Sequence, residues 1–211
     1  FIPGLLSVAV LLTLREEKTN STKSARSGFF SYTGYWKEAP ASYRKVVPAL
    51  LLFTLFNSSD IFLLLMARNA LGDAHLTLMG RSVPADAWVI GAYILYNAVY
   101  ALTAYPAGRM AERIGTRTTI AIGFLLFGIV YFGFARGVNA YTLLWLFSLY
   151  GIYAAATEGI IKAWIAERVP AEKTGTAIGF FNSFDSIAVW LASGIAGLLW
   201  TFGNASLPFY C

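Results

Sequence analysis

Residues 108–117 read GRMAERIGTR and stand between two apolar stretches, at about 87–107 and 117–136. A glycine opens this short stretch and a second lies near its end, and glycine permits the tight backbone turn that two closely connected helices need. Both apolar stretches are long enough to cross about 30 Å of hydrocarbon at about 1.5 Å per residue. The stretch therefore predicts a charged turn between two membrane-spanning helices.

The same apolar character recurs along the chain and predicts five spans. Hydrophobic residues make up 57% of the 211 residues and charged residues only 13%, whereas a soluble domain carries about 25% charged residues. Each span is close to the length that a bilayer requires, about 20 residues. The predicted fold class is all-α, a polytopic membrane protein. The spans are expected at about 46–70, 87–107, 117–136, 141–165 and 175–200.

Lysine and arginine residues are concentrated in alternate connections between the predicted spans. Cytoplasmic connections carry an excess of these residues, so residues 15–45, 108–117 and 166–174 are expected in the cytoplasm. These three segments hold twelve basic residues, against three in the opposite connections. The bias accounts for the net charge of +5 without a nucleic-acid partner, and no such partner is expected.

The loop at 108–117 resembles the signature loop of the major facilitator superfamily (MFS), Gly-x-x-x-Asp-Arg-x-Gly-Arg-Arg/Lys. Glu112 stands where the family usually has Asp, and Thr116 stands at a basic position. The long basic segment before the first span and the number of spans are similar to the C-terminal half of the family's fold. The positions that match the signature are Gly108, Arg113, Gly115 and Arg117.

The resemblance implies a twelve-helix secondary transporter, of which this chain holds the C-terminal half. Residues 1–14 would end helix 6, residues 15–45 would be the cytoplasmic central linker, and residues 46–211 would form helices 7 to 11 and the start of helix 12. The expected partners are a small-molecule substrate, the lipid bilayer and the N-terminal half of the same transporter. The expected location is the inner (cytoplasmic) membrane of a bacterium, and no cofactor is expected.

In the family, contacts of the signature loop latch the cytoplasmic side in one state of the transport cycle. Here Glu112 is expected to approach the N-terminus of helix 11 near Thr174–Thr176, where free backbone N–H groups favour an anion. The basic residues of the loop can pair with acidic groups or with anionic lipid headgroups. The alternative is that the loop signals topology and nothing more. The basic residues in question are Arg109, Arg113 and Arg117.

Ionisable and amide residues inside the predicted spans are candidates for a substrate or proton site, because a charge within the membrane is costly and by default functional. Asp60 and Asp185 have no basic neighbour on their own helix near the midplane, so they are the preferred proton or substrate groups. Glu158 and Lys162 lie one helical turn apart and are expected to form an ion pair. Static hydrogen bonds between helices are the alternative for each residue. The full candidate set is Asn57, Asp60, Glu158, Lys162, Asn182 and Asp185.

Transport and membrane signalling are the function classes that the sequence leaves open. It contains no P-loop pattern, G-x-x-x-x-G-K-[ST], so an ion gradient is the expected energy source and the proton the expected coupling ion. An enzyme or a metal site would need clustered His, Cys or carboxylate groups, and the chain has one His and one Cys. The expected function is transport of a small molecule by alternating access. A non-transporting, MFS-like receptor or sensor is the alternative.

Overall fold

The computed structural model describes residues 13, 34–57, 59–72, 75–78, 81–203 and 207–209. The predicted end of helix 6 at 1–14 lies outside the described residues except for Thr13, and the predicted linker at 15–45 is described from Gly34 onward. The predicted start of the last helix, at 205–211, is described only over the 3-10 turn Leu207–Phe209.

The first predicted span consists of two helices, and a single helical turn, α1, precedes it over Tyr35–Glu38. The first helix of the span, α2, covers Ala41–Phe56. Helix α3 covers Ile61–Leu71. Between α2 and α3 the helical pattern stops at Asn57, whose N–H donates to the Thr54 carbonyl at 3.0 Å. Asn, Ser and Asp side chains compete with the backbone for hydrogen bonds, and this favours a break over a continuous helix.

A short antiparallel hairpin connects the first span to the second. Strand β1 covers His75–Leu78 and strand β2 covers Arg81–Pro84, with His75 opposite Pro84 and Leu78 opposite Arg81. The sequence does not predict these strands, because a run of four residues is at the lower limit at which alternation indicates a strand. The remaining regular structure within the described ranges is helical.

Three long helices follow the hairpin. Helix α4 covers Ala85–Ile114, α5 covers Thr116–Ala135 and α6 covers Ala140–Ala166. Gly115 alone separates α4 from α5, and its φ of 92° lies in the left-handed region that glycine tolerates. The charged turn predicted between two spans is therefore a single-residue connection.

The last long helix, α7, covers Thr174–Phe202 and is preceded by the 3-10 turn Ala171–Lys173. Within the described residues, five helical segments are long and apolar enough to cross a membrane, and they coincide with the five predicted spans. The prediction of a polytopic helical membrane protein is confirmed. The five segments are Ala41–Leu71, Ala85–Ile114, Thr116–Ala135, Ala140–Ala166 and Ala171–Phe202.

Helix α6 packs along both α4 and α5. At Gly151 its backbone comes so close to α4 that a Cβ atom would lie 2.7 Å from the Tyr96 carbonyl oxygen, and small residues allow such close approach of membrane helices. Large apolar side chains cover the outside, with Leu102 77% and Trp190 73% exposed. An apolar exterior of this kind matches a hydrocarbon environment.

The turn α1 is attached to the N-terminal end of α7. The Trp36 ring stacks on Phe180 with centroids 5.8 Å apart and planes 15° apart. Lys173 Nζ donates to Glu38 Oε2 at 2.7 Å. The Lys173 ammonium holds the pKa of the Glu38 carboxyl below its usual value. The turn α1 and the last long helix, α7, are thus joined at one end of the bundle.

The buried side chains form separate clusters on the two sides of the break in the first span. Leu63 of α3 belongs to a core built with α4, α5, α6 and the turn Leu207–Phe209. Tyr43 and Leu50 of α2 belong to another core, built with α1, α7 and the C-terminal end of α6, that includes Phe180. A hydrogen bond of 2.8 Å from the Tyr43 hydroxyl to the Ala177 carbonyl ties α2 to α7. The buried residues of α2 and of α3 therefore belong to different cores, although the partly buried Phe53 of α2 also packs against the first one.

Candidate functional site

A cavity of about 300 Å³ lies beside the break in the first span. Its walls come from α2, from the residues of the break, from α6 and from α7. All six of the substrate or proton candidates predicted from the sequence line this cavity, although they belong to three different spans. These residues are Asn57, Asp60, Glu158, Lys162, Asn182 and Asp185.

Asp60 is held at the start of α3 by a tyrosine of α6. The Tyr150 hydroxyl donates to Asp60 Oδ1 at 2.6 Å, and Tyr150 is only 3% exposed. A hydroxyl that donates to a carboxylate at this distance forms a charge-assisted hydrogen bond, which is stronger than one between neutral groups. Among the described residues, no cationic side chain lies within 4.0 Å of Asp60.

Asp185 of α7 is held in a similar way by α2. The Thr54 hydroxyl lies 2.7 Å from Asp185 Oδ1 and 3.1 Å from the Leu50 carbonyl oxygen. One hydroxyl proton serves one acceptor at a time, and the shorter bond, to the carboxylate, is the stronger of the two. Both preferred carboxylates therefore accept a hydrogen bond from a neutral hydroxyl on a neighbouring helix.

The residues of the break make further polar contacts with α6 and α7. Asn57 Nδ2 donates to the Tyr153 hydroxyl at 3.1 Å, and the Ser59 N–H donates to Ser193 Oγ at 3.2 Å. Asn57 Oδ1 is buried and has no hydrogen-bond partner within the described part of the chain. Non-helical backbone at membrane depth is tolerated where it faces protein or a cavity, and this break satisfies that condition.

Glu158 and Lys162 do not form the ion pair expected from their spacing. Between these two described residues no nitrogen–oxygen distance falls within 4.0 Å, although both line the cavity. Both charged side chains are exposed, so water competes with the pair and the attraction between them is weak.

Four hydroxyl groups of the site were not in the predicted set, those of Thr54, Tyr150, Tyr153 and Thr157. Tyr150, Tyr153 and Thr157 occupy one face of α6 at helical spacing, and such a polar stripe in an apolar span is a signal that could have identified the two tyrosines. Thr54 gives no comparable signal, because a single Thr in a helix commonly bonds its own backbone. Over the described ranges, no group of three or more His, Cys, Asp and Glu side chains is placed to hold a metal ion.

The signature loop forms the expected tight connection, but Glu112 does not make the expected contact. Gly108 lies within α4, and Gly115 is the connection itself. Glu112 lines a groove of about 400 Å³ between α4 and α6 that also contains Glu167. No hydrogen bond or ion pair joins Glu112 to Thr174–Thr176, all of which are described. The reason is that α4 packs along α5 and α6 rather than along α7.

The three arginines of the signature loop are exposed at the same end of the bundle. Arg109 lies over the ring of Tyr105, 5.5 Å from its centroid, in the range of a cation–π contact. Arg113 and Arg117 have no carboxylate within 4.0 Å in the described part of the chain. These two arginines can therefore interact with other anionic groups, such as lipid headgroups.

Comparison with known proteins agrees with this fold. The sequence model of the Major Facilitator Superfamily matches residues 49–211. The chain is 33% identical over 166 residues to an uncharacterised MFS-type transporter of Methanocaldococcus jannaschii, an alignment that covers 78% of the chain and 40% of that protein. It is 27% identical over 129 residues to a D-xylose transporter of Levilactobacillus brevis, which covers 57% of the chain and 28% of that protein. The aligned part of the chain thus spans less than half the length of either relative, and the chain belongs to the Major Facilitator Superfamily.

Proposed function

We propose that the chain forms one half of a secondary active transporter that moves a small molecule across the membrane by alternating access. The convergence of six polar candidates from three spans on one cavity carries this proposal. Family membership and the two relatives named as transporters support membrane transport rather than an enzymatic function. The N-terminal half of the same protein would supply the opposite wall, because sites of this kind form between the halves near the midplane.

The proposed organisation follows from the same reasoning. Residues 1–14 would end helix 6, residues 15–45 would be a cytoplasmic linker, and residues 46–211 would be the C-terminal half. The protein would lie in the inner (cytoplasmic) membrane of a bacterium or in the equivalent membrane of an archaeon, with the basic turn at 108–117 on the cytoplasmic side. That turn is proposed to latch the cytoplasmic side, and its partner would lie outside the described residues.

We propose that protons drive transport through Asp60 or Asp185. Each carboxylate accepts a hydrogen bond from another helix, from Tyr150 and Thr54 respectively. Protonation would remove a charge that is costly within the membrane and would weaken that hydrogen bond, because a neutral carboxyl group is a poorer acceptor than a carboxylate. Proton uptake would therefore loosen a specific contact between helices, which is what a coupled transporter requires.

The test uses the full-length protein in liposomes. Labelled sugars, amino acids and amines are first screened for uptake driven by a pH gradient, and D-xylose is included because of the relative that bears its name. Asp60→Asn or Asp185→Asn should then abolish accumulation while counterflow exchange continues, because the amide mimics the protonated carboxyl. Asp86→Asn, at the outer ion pair with Arg68, should accumulate solute normally.

The outcomes separate the coupling proposal from the transport proposal. Normal accumulation by both cavity variants would contradict proton coupling through these carboxylates and leave transport itself intact. Failure of the wild-type protein to move any solute or any proton above empty liposomes would contradict transport and favour the receptor alternative.

A further inference from the structure

The charges that line the cavity indicate the class of molecule that it binds, and this inference rests on the proposed function. Three carboxylates, Asp60, Glu158 and Asp185, face one ammonium group, that of Lys162. None of the three carboxylates has a cationic side chain within 4.0 Å among the described residues. The ionised wall therefore carries an excess of two negative charges.

Aromatic rings in the same wall of the cavity also favour a cationic ligand. The Tyr150 and Tyr153 centroids are 5.2 Å apart on α6, and rings of Phe53 and Phe181 line the cavity with them. The face of an aromatic ring carries negative potential and attracts cations. Asn57 Oδ1 adds a buried acceptor without a donor among the described residues, which an N–H group of a ligand could satisfy.

Other classes of ligand fit this wall poorly. Three carboxylates would repel an anion. A neutral polyol could donate hydrogen bonds to them but would leave the excess negative charge of this wall uncompensated. We propose that the transported molecule is a small organic cation, a protonated amine with an apolar or aromatic body.

A proton and a protonated amine would compete for the same carboxylates. Each of them can neutralise the charge of a carboxylate, so a carboxylate that has bound one of them attracts the other less strongly. Protonation of these carboxylates should therefore weaken amine binding, so the affinity for the amine should fall as the pH is lowered. The titratable groups that face these carboxylates are Lys162, Tyr150 and Tyr153 on α6 and Tyr96 and Tyr100 on α4.

The experiment compares three ligands that share one ring and differ in their head group. They are phenethylamine, 2-phenylethanol and phenylacetate, titrated calorimetrically at neutral pH into the purified full-length protein. Phenethylamine should bind at least tenfold more tightly than the other two. Phenethylamine binding should weaken when the titration is repeated at lower pH, because protonation removes the negative charge that attracts the amine. Equal or tighter binding of the alcohol or the acid, or phenethylamine binding that does not weaken at lower pH, would overturn the proposal.

Substitutions of cavity residues test whether the amine binds in this cavity. Asp185→Asn should weaken phenethylamine binding at least tenfold, whereas Lys162→Gln should strengthen it, because it removes the competing positive charge. Asp86→Asn, outside the cavity, should bind like the wild type. The opposite signs of the first two effects cannot arise from misfolding, and unchanged binding in both would overturn the proposal. Saturable D-xylose binding without amine binding would overturn the proposed ligand class while leaving the proposed transport function in place.

Discussion

The preferred carboxylates, Asp60 and Asp185, are bound by neutral hydroxyls and not by cations. Asp60 accepts from Tyr150 at 2.6 Å and Asp185 from Thr54 at 2.7 Å. A carboxylate paired with Arg or Lys would stay ionised through a transport cycle, whereas a carboxylate bound by a hydroxyl can exchange protons without leaving a buried cation behind. The partner atoms are compatible with the proton-coupling role that we propose for these two residues.

Tyr150→Phe removes the hydroxyl and keeps the ring. The free energy of unfolding should fall by about 1 to 2 kcal/mol, because Asp60 loses its donor in a partly buried site. Thermal unfolding in detergent measures the change. The matched control is Tyr141→Phe on the same helix, whose side chain is 73% exposed and whose loss should have little effect. Equal stability of the two variants would contradict a stabilising Tyr150–Asp60 bond.

The sequence was sufficient to select the residues of the cavity, but it could not identify their partners. A charged or amide side chain within an apolar span is expected to face the protein interior or a cavity. Each of the six candidates could therefore be selected from the sequence alone. The hydrogen bond between Thr54 and Asp185 joins residues 131 positions apart. Its existence depends on how α2 packs on α7, and no local pattern in either helix carries that information.

At the scale of secondary-structure elements, the five spans could be predicted and the break within the first could not. Hydropathy reports an average over about 20 residues, and the polar residues at 57–60 are too few to lower that average enough to divide the span. The spacing of Glu158 and Lys162 predicted an ion pair from helix geometry alone, but their exposure to the cavity allows water to solvate each charge separately. Local rules therefore placed the helices correctly and misjudged one of their contacts.

The two glycines of the signature loop should differ in their tolerance of a side chain. Gly115 has a φ of 92°, and an L-residue in the left-handed region costs about 1 to 2 kcal/mol, so Gly115→Ala should lower the melting temperature of the protein. Gly108 lies within α4, and a Cβ atom there would meet nothing within 4 Å. Gly108→Ala should be neutral or slightly stabilising, since Ala is favoured over Gly within a helix by about 0.5 to 1 kcal/mol.

The same pair of variants separates a structural role of the loop from a functional one. If Gly108→Ala melts like the wild type but transports slowly, Gly108 serves a contact made during the cycle rather than the stability of the helix. If Gly115→Ala melts like the wild type, the connection between α4 and α5 does not depend on the glycine backbone, and the structural explanation of that residue is wrong.

At the scale of the whole molecule, the predicted orientation can be tested with single cysteines. In a Cys211→Ser background, Arg136→Cys after α5 should react with an impermeant thiol reagent added to intact cells. Arg117→Cys near the start of α5 should react only after the cells are permeabilised, because the positive-inside rule places that end in the cytoplasm. Both native side chains are exposed, so access to the reagent is determined by the membrane. The reverse labelling pattern would contradict the orientation.

The two cores also determine the order in which parts of this protein can pack together during translation. The part of the first core that α3 to α6 contribute can pack as soon as Ala166 has entered the membrane, and Phe209 joins it after α7 has been made. The core of α1, α2 and α7 cannot, because Tyr43 and Ala177 are 134 residues apart, a delay of roughly 7 to 27 seconds at about 5–20 residues per second. Until α7 is made, Thr54 has no Asp185 to bind, and the cavity stays incomplete while α3 to α6 can already pack together.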